Sequence, residues 1–159
     1  MQINVARTVA ARPSVAFATL ADIMHWPEMI SSVTSIELLT SGPIRVGTRL
    51  RGRRIIFGHD AAEEMEIVEI ERPRRLRLAA QNDHLHYERD HIIDAIQSGS
   101  RLTLILRPKP GTDAGRALQS FIAPFMDINL RDELEQDLID LAAAIAARSS
   151  KKSSTVGRV

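Results

Sequence analysis

Apolar and polar residues alternate through most of the chain, and this alternation predicts a protein built mainly from β-strands. The first alternating run covers residues 3–11. Six further runs are predicted as strands, at residues 33–40, 48–57, 61–71, 74–81, 84–96 and 101–107. Short segments rich in Gly, Pro, Asn and Asp separate the later runs, and short connections join antiparallel neighbours. We therefore expect one antiparallel sheet of about seven strands.

Two breaks in the alternation predict helices. After the first strand, Arg12-Pro13-Ser14 has the composition of a helix start, and a second short helix is expected at about residues 23–30. Beyond residue 111, apolar residues recur at steps of three and four, which predicts one long helix over residues 113–147, kinked at Pro124. A helix of that length measures about 50 Å and must lie across the whole sheet. The expected class is α+β.

The turns between the later strands predict which side chains face this helix. If Asn82-Asp83 and Ser98-Gly99 are both two-residue turns, both hairpins place the same set of residues on one face. This face is mainly aliphatic, so it should cover the long helix. Its members are Leu76, Leu78, Ala80, Leu85, Tyr87, Arg89, His91, Ile93, Ala95, Leu102, Leu104 and Leu106.

Three polar side chains in a row interrupt this apolar face: Tyr87, Arg89 and His91. An unpaired neutral polar group costs ~2–7 kcal/mol when it is buried. Two interpretations remain open. The three residues lie at the sheet margin, where Arg89 and Tyr87 reach solvent and His91 bonds the backbone, or they line a pocket and bind the polar end of a ligand.

Composition limits the classes of function. The chain of 159 residues fits a single domain of residues 1–147, large enough to enclose a cavity, followed by a disordered basic tail over residues 148–159. The net charge of +1 gives no signal for a nucleic-acid partner, and the absence of cysteine excludes disulfides and thiolate sites. No segment approaches the ~20 apolar residues that span a bilayer. We expect a cytoplasmic protein without stable membrane insertion.

Other charged residues give weak signals for chemistry. His84 and His86 lie two positions apart on one strand without an evident third ligand, so we expect no metal and no cofactor. The glutamates within residues 63–71 and the arginines within residues 49–54 are interpreted as a solvated face of paired charges. The alternative is an acid–base carboxylate pair, Glu64 and Glu66, in a cleft.

Several short motifs, in this order and spacing, carry a resemblance to a known family. They are residues 12–17 with 20–22, His25-Trp26-Pro27, Val46-Gly47-Thr48, residues 67–76 and residues 99–104. With the order of elements, they resemble the helix-grip fold of the SRPBCC superfamily, which includes START lipid-binding domains and the major birch-pollen allergen. The chain looks most like its polyketide cyclase/dehydratase-like branch, over about residues 3–147.

The resemblance implies an apolar pocket between the sheet and the long helix, holding a small hydrophobic molecule such as a polyketide, a lipid or a quinone. The residues expected to contact the apolar body are Trp26, Leu78, Leu104, Phe121 and Phe125. Tyr87, Arg89 and His91 would bind the polar end. The family has no universal catalytic signature.

Three functions stay open at this point. In a cyclase or dehydratase, Arg89 would stabilise an enolate oxygen, and Tyr87 or His91 would move a proton. A carrier or sensor would bind the same ligand without chemistry, and a protein-interaction module would use the apolar surface instead. The sequence is compatible with a monomer or a homodimer.

Overall fold

The computed structural model describes residues 2–56, 58–81, 86–109 and 113–156, with the side chains of residues 2–55, 58–81, 86–109 and 129–151. In chain order the elements are β1 (Ile3–Val9), α1 (Pro13–Ala21), a 3₁₀ turn (Ile23–His25), α2 (Trp26–Met29), β2 (Val33–Leu38), β3 (Arg49–Ile56), β4 (His59–Glu71), β5 (Arg75–Gln81), β6 (His86–Ile96), β7 (Gly99–Lys109) and α3 (Asp113–Val156).

All seven strands form one antiparallel sheet in the order β1-β7-β6-β5-β4-β3-β2. Strands β2 to β7 are neighbours in chain order, and β1 closes the sheet by pairing with β7. The predicted α+β class, the seven-stranded sheet, the two short helices and the long C-terminal helix are confirmed. No helix in the described part of the chain is long and apolar enough to cross a membrane.

The long helix extends further than predicted. We expected it to end at residue 147, whereas α3 continues to Val156, into the segment predicted as a tail. Residues 148–156 contain neither Gly nor Pro, and Gly157 is the first such residue after them. Gly and Pro are the residue types that interrupt a helix most strongly, so no residue of this segment ends the helix before Val156.

The two hairpins that carry the polar residues have registers that differ from the prediction by two residues. Gln81 pairs with His86 rather than His84, and Ile96 pairs with Gly99. Four residues, 82–85, therefore separate β5 from β6, where we expected a two-residue turn. A shift of two residues keeps every side chain on its predicted face, because strand side chains alternate with a period of two. As a result Arg89 lies opposite Leu78 and Leu106.

The predicted inner face is buried, with one exception. Its other described members are 0–7% exposed, and all of them except Arg89 and His91 share one apolar core with Leu134, Leu138, Leu141 and Ile145 of α3. Ala95 is exposed instead, because it pairs with Ser100 beside the β6–β7 turn, at the end of the sheet. Leu85 lies outside the described residues.

The outer face of β6 carries a buried carboxylate behind this core. The Asp90 side chain is 0% exposed and accepts hydrogen bonds from Arg75 at 2.7 and 2.9 Å, Arg77 at 3.3 Å and Arg107 at 3.1 Å. Burial by itself raises the pKa of Asp90, but these arginines outweigh it and lower the pKa to about 2. Asp90 therefore binds β5, β6 and β7 together.

A close approach fixes the β6–β7 turn. Gly99 has a φ of 140°, and a Cβ at this position would lie 2.4 Å from the Val9 carbonyl oxygen and 2.8 Å from the Ala11 nitrogen. The end of β1 can pack here only against a residue without a side chain.

We predict that Gly99→Ala lowers the free energy of unfolding by more than about 2 kcal/mol, because it adds a backbone clash to the strain of a positive φ. Gly47→Ala is the matched control, since Gly47 also has a positive φ (92°) but a Cβ added there would meet no atom within 4 Å. Urea denaturation measures both. Equal losses in the two variants would show that the close approach at Gly99 is unimportant.

We also predict that Asp90→Asn lowers the free energy of unfolding by about 2 kcal/mol at pH 7. The folded-state pKa lies below the unfolded value, so this stabilisation is present above about pH 4 and is lost as the pH falls through about 2. Urea denaturation at pH 7 and pH 2.5 should show the difference between variant and wild type shrinking in acid. Asp94→Asn, on the same face of β6 with an exposed side chain, should change stability little.

Candidate functional site

A group of charged and polar side chains lies between the sheet and α3. We call it the buried polar cluster. Its members are Ser32, Arg54, Glu63, Tyr87, Arg89 and Asp137. All of them except the half-buried Ser32 are 4–7% exposed. Ionised groups are rarely buried to this extent without partners, so their pairing decides what the site can do.

Strand parity brings two of the charges inward. Gly52 of β3 pairs with Glu63 of β4, and Arg54 lies two residues from Gly52, so Arg54 and Glu63 share the inner face. Our interpretation of both as surface charges was wrong. Arg53 and Arg54 are adjacent, so strand alternation places them on opposite faces of the sheet. Arg53 lies on the outer face, where its Nη2 atom forms an ion pair with Asp60 Oδ2 at 3.1 Å.

Asp137 is the centre of the cluster. Its Oδ2 atom accepts hydrogen bonds from Arg54 Nη1 at 2.7 Å and Arg89 Nη2 at 2.8 Å. Its Oδ1 atom accepts one from Ser32 Oγ at 2.7 Å. Burial raises the pKa of Asp137, but the charges of Arg89 and Arg54 outweigh it, so the pKa lies below its ordinary value. One carboxylate thus joins α3 to β3, to β6 and to the segment that precedes β2.

The second carboxylate of the cluster is Glu63. It accepts a hydrogen bond from the Tyr87 hydroxyl. The Nε atom of Arg54 lies 3.6 Å from Glu63 Oε1, close enough for an ion pair but beyond hydrogen-bond distance. The cluster therefore contains two guanidinium groups and two carboxylates, and its formal charges cancel.

Three polar atoms at the cluster and beside it have no hydrogen-bond partner among the described residues. They are Arg54 Nε, Arg89 Nε and His91 Nδ1, and all three are buried. A buried polar atom left unsatisfied costs about 1–3 kcal/mol. Such atoms are uncommon in folded proteins. These three keep the capacity to bond a polar atom of another molecule.

His91 lies next to the cluster on β6 and is uncharged. Its ring centroid is 5.8 Å from that of Trp26, whose Nε1 donates to the Leu20 carbonyl oxygen at 2.9 Å. Burial, followed by the positive charge of Arg89, lowers the pKa of His91 to about 3. The imidazole is therefore neutral at physiological pH and can donate or accept a hydrogen bond.

The structure brings the predicted polar residues together. Tyr87, Arg89 and His91 are 5–7% exposed, so the interpretation that places Arg89 and Tyr87 in solvent is wrong. Their role in ligand binding stays a prediction. Of the residues predicted to contact an apolar ligand, Trp26, Leu78 and Leu104 lie in the apolar core. The side chains of Phe121 and Phe125 lie outside those that the structure describes.

Sequence reasoning missed Arg54, Glu63 and Asp137. A parity test across the β3–β4 hairpin would have found the first two, by the same method that found Arg89. Asp137 carries a different signal, because it adjoins the apolar stripe of α3 formed by Leu134, Leu138 and other residues. A carboxylate there is a candidate for a buried ion pair.

A cleft of about 310 Å³ crosses β3 to β7 near the β5–β6 connection. Its lining combines outward-facing charged residues such as Arg49 and Glu64, which form an ion pair, with Met65, Ala80 and Tyr87 of the inner face. No described side chain of α3 lines this cleft, so it does not correspond to the pocket predicted between the sheet and the long helix.

Comparison with known proteins identifies the fold. A model of the family described as "Polyketide cyclase / dehydrase and lipid transport" matches residues 1–146. No curated protein sequence matches the chain.

Three solved structures illustrate the structural likeness. TTHA0849 from Thermus thermophilus is 18% identical with a TM-score of 0.73, covering 94% of this chain and 99% of its own. The Zhui aromatase/cyclase from a Streptomyces species is 14% identical with a TM-score of 0.68, covering 100% and 99%. A START superfamily protein from Mycobacterium smegmatis is 15% identical with a TM-score of 0.67, covering 94% and 97%. At these identities the likeness shows the fold alone, and the expected helix-grip fold is confirmed.

We predict that Asp137→Asn lowers the free energy of unfolding by about 3–5 kcal/mol, because two buried guanidinium groups lose their shared countercharge. Asp140→Asn, three residues further along α3, is the control. Asp140 is half-buried and accepts from the Ser31 nitrogen at 2.9 Å, so we expect a loss of about 1 kcal/mol. Guanidinium-induced unfolding of both variants measures the difference. A loss at Asp137 no larger than at Asp140 would contradict the central role of Asp137.

Proposed function

The chain belongs to the polyketide cyclase/dehydrase and lipid transport family, and from this premise we propose that it binds a small hydrophobic molecule whose polar end meets the buried polar cluster. The ligand class is a polyketide, a lipid or a quinone. We propose that it does so as one cytoplasmic domain. The observation that carries the proposal is the set of buried nitrogen atoms on Arg54, Arg89 and His91 that have no hydrogen-bond partner within the described part of the chain.

These nitrogens suit the polar end of a guest. Both guanidinium groups are held in place by Asp137, at 2.7 and 2.8 Å, so their Nε–H groups are fixed before any ligand arrives. Donors fixed in advance lose little conformational freedom on binding and so add to affinity. Since they lie in a water-poor interior, each hydrogen bond to a ligand oxygen is stronger than it would be in water.

The surroundings of the cluster suit the apolar body of the same guest. Leu78 and Leu104 lie opposite Arg89 and His91 on the neighbouring strands. Trp26 contacts His91 from the side of α2. We propose that these three side chains, together with Phe121 and Phe125 of α3, contact the hydrocarbon part of the ligand. This is the usual division of a small-molecule site, with a largely apolar lining and a few convergent polar groups.

A cyclase or dehydratase activity is the second candidate, and the Tyr87–Glu63 pair favours it. The phenol and the carboxylate share a buried hydrogen bond on the same inner face as Arg89. A buried acid–base pair beside a cation is the arrangement that enolate chemistry needs. In this version Arg89 stabilises the enolate oxygen, while Tyr87 or His91 moves the proton. A carrier or sensor would use the same residues for binding only.

We predict that the ketone 2-undecanone binds saturably and changes the fluorescence of Trp26, which is the only tryptophan and lies beside His91. Arg89→Met should weaken this binding by about 10-fold or more, since hydrogen bonds from charged groups contribute about 1.5–3 kcal/mol. Arg54→Met tests the second donor. Arg53→Met, adjacent in sequence but on the outer face, should leave the affinity unchanged. Equal affinity in all four proteins would place the ligand elsewhere.

Native mass spectrometry of the purified protein, followed by extraction, separates carriage from catalysis. A carrier returns the extracted compound unchanged after incubation. A dehydratase returns it short of one water, and a cyclase that closes a ring without dehydration returns an isomer of equal mass with a different chromatographic retention time. For a catalyst, Tyr87→Phe should abolish that conversion while the compound still binds. A purified protein that neither retains an apolar compound nor binds 2-undecanone would contradict the proposed function.

A further inference from the structure

The charges that face the cluster from each packed element are already balanced among the described side chains. Arg54 comes from β3, Glu63 from β4, Arg89 from β6 and Asp137 from α3. Behind them, on the outer face, Asp90 is neutralised by Arg75 and its two neighbouring arginines. The four inward-facing groups therefore leave no positive charge in excess, whereas the outer-face arginines around Asp90 are partly exposed to solvent.

The capacity that remains is for hydrogen bonding. Arg54 Nε and Arg89 Nε are N–H donors, and His91 Nδ1 is either a donor or an acceptor, depending on the tautomer. An oxygen atom with two lone pairs satisfies the donors whether or not it is charged. What distinguishes a neutral oxygen from an anionic one is therefore the charge balance of the site.

An anionic head group would give the buried polar cluster a net negative charge. The penalty for an uncompensated ion in a protein interior is several kcal/mol, even after relaxation. Asp137, which is bonded to both arginines, and Glu63, which forms an ion pair with Arg54, would also repel it. His91 offers no compensation, since burial and Arg89 keep its pKa at about 3 and its ring neutral at physiological pH.

We infer that the site selects ligands whose polar end is an uncharged oxygen, the carbonyl of a ketone or quinone or the hydroxyl of an alcohol, and rejects carboxylates and phosphates. The inference rests on the proposed binding function and narrows its ligand class. A fatty acid enters only as the protonated acid. Fatty-acid carriage and phospholipid carriage through the head group are thereby disfavoured.

Decanoic acid and 2-undecanone test the inference in the wild-type protein. Both have the same alkyl chain, and they differ in a carboxylate against a methyl ketone of nearly equal size. Trp26 fluorescence titrations between pH 6 and pH 8, below the micelle concentration of decanoate, give both affinities. The ketone affinity should stay constant. The apparent affinity for decanoic acid should fall about 10-fold per pH unit, because only the protonated fraction binds.

Two substitutions change the net charge of the buried polar cluster while keeping the size and shape of the side chain. Glu63→Gln and Asp137→Asn each remove one negative charge from the cluster, so each should gain affinity for decanoate relative to 2-undecanone by about 10-fold or more. Glu64→Gln, one residue along β4 on the outer face, should leave the ratio unchanged. If Asp137→Asn does not fold, Glu63→Gln and the wild-type pH slope still decide the question.

The outcomes separate this inference from the proposed function. Saturable binding of the ketone with a pH-dependent loss of decanoate supports both. Decanoate that binds at pH 8 as tightly as the ketone overturns the charge selection and leaves the hydrophobic-ligand function standing. Failure of both ligands to bind, at any pH, overturns the proposed function and the selection with it.

Discussion

The structure around the site depends on one buried carboxylate that holds two guanidinium groups. Asp137 lies on α3 and bonds arginines from β3 and β6, which are separated in the sheet by β4 and β5. Each charge would be costly to bury alone, so the three groups are tolerated in the interior only as a unit. This requirement fixes where α3 crosses the sheet more narrowly than apolar contacts can, because apolar packing is not directional.

The same unit gives the interior a polar end. Aliphatic side chains alone would leave a ligand free to lie in any orientation, whereas fixed N–H donors orient one end of it. Ion pairs hold the β6 strand in place on both of its faces. Arg89 is held by Asp137 on the inside, and the adjacent Asp90 is held by Arg75 and its neighbours on the outside. A donor on a strand anchored in this way is positioned more accurately than one on a loop.

Family membership and chemistry are separate conclusions for this chain. The helix-grip fold is shared with proteins that are 12–18% identical, among them an aromatase/cyclase and a START superfamily protein. A fold at this distance constrains the architecture and says little about the reaction, because function lies in side chains placed on the fold. Here those side chains are the charges at the centre of the apolar face, and they define the proposals for ligand and head group.

The sequence by itself determined the order of the elements and the inner face of β5 to β7. Even a register error of two residues left Tyr87, Arg89 and His91 on the correct face, since strand side chains alternate with a period of two. The sequence did not determine whether these residues are paired, or with which partners. Arg54 and Asp137 lie 83 positions apart. They meet only because α3 lies across the folded sheet, and local alternation contains no information about a contact over that distance. In the sequence, Arg54 and Glu63 have the pattern of surface charges. Only the tertiary structure places them in the interior, at the site.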